Sequence, residues 1–263
     1  MADDSPTNLD MACKPVLPSS EDRLSRGYRV LHNQEAKYTG VALQQVHQPI
    51  EIWYQYLSLF DAALRSEHDS SSRPGSQERH SWELRIRITA TEMNTAKLAL
   101  DAALAGYYVQ ALGLIRRILE SWRLMVFARA RPDLARQWLQ PNNKGKYETP
   151  DDGKIIREVQ KYASKTDKPL HRNLETVNRL IVRCHKGAHP SERSFETMET
   201  RSSEHTHIGA TFNEHLLLEV LNIGCAALAL VLGEIRVDLQ LSKEWARDLR
   251  TVNELFSRWY QES

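Results

Sequence analysis

The chain has 263 residues, with 35 Lys and Arg against 34 Asp and Glu and a formal net charge of +1. That balance excludes wholesale attraction to nucleic acid or to an anionic membrane and leaves local patches to do any recognition. A hydrophobic share of 41% suffices for one large core. The three cysteines, Cys13, Cys184 and Cys225, are widely separated. Their number and spacing give neither a disulfide framework nor a zinc site and fit a reducing, cytoplasmic setting.

Residues 1–39 are rich in Asp, Ser, Pro and Lys and read as a flexible tail, with at most a short helix near 21–31. The opening MADDSPTNLDMACKP is acidic and lacks the apolar stretch of a secretory signal. The remainder, 40–263, reads as one helical-bundle domain. Over 41–65 the apolar residues Val46, Ile50, Trp53, Leu57, Phe60 and Leu64 recur at helical spacing, with Pro49 set to kink or split the run. SEHDSSSRPGSQE, 66–78, is a linker by composition. A second long helix spans 82–105. Gly106 then either breaks the chain or sits in line before a third helix, 106–131.

Pro132 opens a short helix to Leu139, and a polar loop follows. Helices are expected over 155–162 and 170–186. Gly187 to Gly209 reads as a long irregular segment, a kind of loop that is usually functional or disordered. The run 213–241 is the most apolar and is short of a clean membrane span, because it contains Glu219, Asn222 and Gly224. It reads as a buried core helix, with no membrane as partner. Ser242 caps a last amphipathic helix to about Trp259, with Trp245 as its N3 residue. No strand alternation, internal repeat or phosphate-binding glycine motif is present. The expected fold is all-α, a single bundle of six or seven helices, with 107–131 and 213–241 the most buried.

Two constellations carry chemistry. The first lies on the third helix, where Arg116, Arg117, Glu120 and Arg123 share an arc with Leu124 and Phe127. Arg116 and Glu120 are four apart and Arg117 and Glu120 three, so either arginine reaches the carboxylate. Glu120 then neutralises a buried arginine, or holds one ready for an anion, or belongs to a solvated face. The second is RLIVRCHKGAHPS, 179–191. Arg172, Arg179, Arg183 and Lys186 fall within about 60° of one another and make a basic ridge opposite the apolar stripe. His185 stands at the stripe's edge. Gly187 reads as the helix C-terminus, which places His189 at a rim beside the negative end of the helix dipole. His185 and His189 have metal spacing, but no third ligand is adjacent, so no metal or other cofactor is expected.

The segments ALGLIRRILESW, RPDLARQWL and CHKGAHPS together resemble a group of uncharacterised bacterial helical proteins with an R-x-x-E or R-x-x-x-E helix and a later H-P-S segment. The likeness covers roughly 102–191 and implies a helical fold with a shared polar site. A looser resemblance is to HEPN domains, helical bundles found in RNases of toxin–antitoxin and phage-defence systems. Their motif is Arg, four to six residues, then His. Arg183 with His189, and Arg179 with His185, have that spacing, although Leu180 and Cys184 stand where a polar residue is usual.

The HEPN resemblance implies metal-independent RNA cleavage by a homodimer. His189 would be the general acid/base, Arg183 would stabilise the phosphorane, and Glu120 would stand in the same pocket. Arg116, Arg117, Arg179 and His185 would bind the RNA or a nucleotide. The competing reading is a non-catalytic helical interaction or structural module, with the same residues as internal polar struts.

Overall fold

The computed structural model describes residues 20–69, 79–139, 151–166, 168–188, 212–238 and 241–262. Among them there are nine helices and no strand: α1 (Ser20–Gln45), α2 (His47–Asp69), α3 (Arg79–Leu104), α4 (Tyr108–Ala130), α5 (Pro132–Leu139), α6 (Asp152–Thr166), α7 (Lys168–Ala188), α8 (Glu214–Asp238) and α9 (Lys243–Glu262). The all-α bundle is therefore as expected. The helix count exceeds six or seven, partly because a 26-residue helix, α1, crosses the boundary at 39.

The helix ends follow local chemistry. The chain breaks at Val46, and Pro49 falls in the first turn of α2, where its missing N–H costs no intrahelical bond. Gly106 has φ 88°, a left-handed conformation that side-chain-bearing residues avoid. Its N–H reaches Ala103 O at 3.1 Å, and the Tyr107 N–H reaches Ala102 O at 2.8 Å, the paired bonds of a Schellman stop. Gly106 therefore breaks α3 from α4. Asp151 caps α6 through the Lys154 N–H at 2.7 Å, and Asn213 caps α8 through the Leu216 N–H at 3.1 Å. Ser242 caps α9 through the Trp245 N–H at 3.1 Å, as its spacing predicts.

α7 runs on through Gly187 to Ala188, so Gly187 is the penultimate helical residue and not the cap the sequence suggests. Most of the expected 187–209 loop, and His189 with it, lies outside the described residues.

α4 is the axis of the bundle. It packs most extensively on α3, then on α7, α8 and α6. α8 adds α2 and α3, and α9 closes over α2. Ile115, Ile118, Leu119, Trp122 and Val126 of α4 are fully buried, as are Leu217, Leu221, Leu228 and Val231 of α8. These are the two helices whose apolar residues wrap most sides. Residues 214–236 have the length and composition of a membrane span, and 56% of that window is buried inside the bundle. α9 is held by two bonds into α2: Tyr56 Oη donates to Asn253 Oδ1 at 2.8 Å, and Trp245 Nε1 donates to the Leu59 carbonyl at 3.0 Å.

Candidate functional site

The mixed arc of α4 is not one site. Its three arginines turn to three different partners, and Arg129 further along the helix turns to a fourth. Arg116 Nε donates to Glu120 Oε1 at 2.8 Å within the helix. Arg117 turns towards α3, its Nε 3.6 Å from Glu92 Oε1. Arg123 donates to Asn178 Oδ1 of α7, while its Nε is buried without a hydrogen-bond partner. Arg129, one and a half turns on, stands 3.1 Å from Glu234 Oε1 of α8 and lies over the Tyr162 ring at 5.6 Å. Burial pulls the Arg123 guanidinium below its ordinary range, against the attraction of Glu120 and Asp152.

Glu120 does pair with Arg116, but at the surface. The two side chains are 44% and 35% exposed, so the buried ion pair that the apolar flanks suggested is not there. The carboxylates that are sealed in are Glu92, at 2% exposure, and Glu234, at 5%. Each stands on a face that should be dry. Glu92 is in register with Ile88, Thr95, Ala96 and Ala99, all buried, and Glu234 follows Val231 and Leu232 in the most apolar helix. A lone carboxylate on an apolar stripe is a readable signal, and here it points to the true internal struts.

α7 brings Arg183 to Glu219 of α8 at 3.0 Å. Beneath them Cys184 is fully buried, and burial pushes its thiol up to about 12; Arg183 and Arg116 pull the other way and Glu219 adds to the rise. Cys184 is thus a buried thiol held in its neutral form, next in sequence to Arg183. Of the predicted residues, Arg116 and Glu120 meet each other, and Arg183 turns instead to Glu219. Arg117 turns to the α3 side. Arg179 is exposed and donates to Thr176 Oγ1 at 3.3 Å, and His185 is exposed in the last turn of α7. Among the described residues no three His, Cys, Asp or Glu side chains lie close enough to share a metal ion.

The residues sequence reasoning missed are the partners: Glu219, Asn178, Glu92 and Glu234. Each is a helix away or more, and only the packing brings it into reach.

Glu92 supports a pH prediction. Desolvation raises its pKa above the ordinary 4.5, and the Ser121 hydroxyl at 2.9 Å and Arg117 offset this in part; its Oε2 has no hydrogen-bond partner. The folded state thus holds the proton more tightly than the unfolded one. Ionised Glu92 costs stability; the cost begins as pH passes the unfolded value and is complete once pH has risen through the folded pKa. Glu92→Gln should raise the melting temperature at pH 8, with a gain that fades as pH falls towards 4.5, where wild-type Glu92 is protonated. Thermal melts at pH 5 and 8 read this, and a loss of stability at pH 8 would contradict it.

The chain matches no protein-family model, no curated protein and no solved structure.

Proposed function

We propose that this chain is a helical module that binds single-stranded RNA along the exposed face of α7. The supporting observation is the row of cations on that face. Lys168, Arg172, Arg179, Arg183 and Lys186 are all exposed. Helical spacing puts them within about 60° of one another over about 27 Å of axis. Glu175 is the one acid close to that line on α7. Over 152–188 the chain has nine Lys and Arg against four Asp and Glu, a local +5 in a protein of net +1. Such segregation is the electrostatic footprint of phosphate recognition.

The HEPN-like reading adds chemistry to binding, with His189, the residue that follows Ala188 in sequence, as general acid/base. The reading that stays with binding alone draws support from the pairing of Arg183 and Arg116 to carboxylates, which uses their charge within the protein.

One experiment decides. Labelled single-stranded RNA is titrated with protein and followed by fluorescence anisotropy, then incubated in EDTA and run on a denaturing gel. Binding without cleavage supports the interaction module. Cleavage lost in His189→Ala, with binding kept, supports a metal-independent HEPN-like ribonuclease, which should also sediment as a homodimer. No binding at any salt concentration overturns the proposal.

A further inference from the structure

The cations of α6 have no role in the reading above. α6 carries Lys154, Arg157, Lys161 and Lys165, which helical spacing places within about 80° of one another. Arg157, Lys161 and Lys165 of this row line one side of an open groove between α6 and α7, which the α7 row meets through Lys168 and Arg172. The groove is lined by Arg157, Lys161, Ser164, His171, Glu175 and Asn178, and continues past Lys165, Lys168 and Arg172. No ion pair among the described residues engages Arg157, Lys161, Lys165, Lys168 or Arg172. Glu175 is the one acid lining it, and His171 Nε2 stands 3.5 Å from the Glu175 carboxylate.

Asn178 is the decisive residue. It lines the groove and is bonded on its other side to Arg123 of α4. A guanidinium has donors and no acceptor, so the amide atom that meets it must be the oxygen. With Oδ1 held there, the amide –NH2 is the group left to the groove. The groove therefore offers donors at its floor from Asn178 and at its rim from Arg157, Lys161 and Ser164. The ligand chemistry that matches is a group that only accepts hydrogen bonds and carries negative charge.

We propose that the α6–α7 groove seats a phosphoryl group, with the Asn178 amide donating from below and Arg157 and Lys161 from the rim. In the RNA-binding reading, on which the choice of RNA as its source rests, this group is a phosphate of the bound strand. The geometry of the seat itself does not depend on that reading.

The test variant is Asn178→Asp. It keeps an oxygen facing Arg123, now as an ion pair, so the fold should be spared and the melting temperature held or raised. It replaces the –NH2 with a carboxylate oxygen that repels phosphate. Lys161→Ala, at an exposed rim position, is the second variant. Two probes are used: inorganic phosphate, followed by 31P line broadening, and a 12-nucleotide single-stranded RNA with or without a 5′-phosphate, followed by anisotropy.

Wild type should broaden the phosphate line and bind RNA. Asn178→Asp should lose the broadening and bind RNA at least about tenfold more weakly, and Lys161→Ala should bind it several-fold more weakly. An equal loss on both RNAs assigns the seat to an internal phosphodiester, and a larger loss on the 5′-phosphorylated strand assigns it to the terminal phosphate. Broadening by wild type without RNA binding keeps the seat and removes the RNA reading. RNA binding that Asn178→Asp and Lys161→Ala both leave unchanged keeps the RNA reading and overturns the seat. Absence of any broadening by wild type overturns it as well.

Discussion

Gly224→Ala should destabilise the protein by about 3 kcal/mol, although alanine is the better helix former by about 1 kcal/mol. Gly224 is buried in the middle of α8, and the Trp53 indole of α2 lies directly on its backbone. A methyl group there would stand 2.0 Å from Trp53 Cζ3 and 2.1 Å from Cη2. Trp53 is fully buried. The two helices must therefore separate, or the indole must leave its rotamer, and close-packed interiors resist both. Gly233, nine residues further along the same helix, is the control. A methyl group there meets nothing within 4 Å. Gly233→Ala should stabilise by about 0.5–1 kcal/mol through the unfolded chain and helix propensity. Urea denaturation of the two variants reads the opposite signs. A stabilising Gly224→Ala would mean that α2 and α8 do not meet through this contact.

Arg129→Met should destabilise the protein by on the order of 3 kcal/mol, because it takes the guanidinium away from the buried Glu234 carboxylate. Arg129 is 18% exposed and Glu234 5%, and their side chains tie α4 to α8, with Tyr162 of α6 under the guanidinium. Their 3.1 Å approach lacks hydrogen-bond alignment at Glu234 Oε1, so the attraction is chiefly of charge. The double variant Arg129→Met with Glu234→Leu should recover most of the loss, since it removes both charges and keeps volume. Glu120→Ala is the contrast. Its pair with Arg116 is a surface i,i+4 contact, and its loss should cost no more than about 0.5 kcal/mol. A chemical-denaturation series with Arg129→Met close to wild type would contradict this assignment of the internal strut.

The helical architecture was legible because it rests on local signals. Gly106 and Pro49 marked breaks, Ser242 marked a cap, and 3.6-residue periodicity marked the faces that pack. α1 was underestimated because its exposed Tyr28, Val30 and Leu31 break the apolar stripe that identifies a packed helix. The Arg-rich arc of α4 was visible, but the partner and the depth of each charge were not. Glu120 is flanked in projection by Leu124 and Phe127, which suggested burial; the neighbouring helices leave that edge open, and Glu120 stays in water. Glu92 and Glu234 showed the better signal, a single acid on an otherwise apolar stripe. The amide of Asn178 carried no signal at all, because its value comes from Arg123, 55 residues away in sequence.

The salt dependence of RNA affinity tests the central claim most directly. Single-strand binding loses about 0.7 in the slope of log K against log salt for each phosphate contact. Arg183 is paired with Glu219, so if the other four cations of the α7 row each hold one phosphate, wild type should show a slope of about −2.8. Arg179→Ala and Lys168→Ala should each bring it about 0.7 closer to zero while leaving the melting temperature unchanged. A slope near zero in wild type, or one that neither substitution alters, would contradict RNA binding along α7.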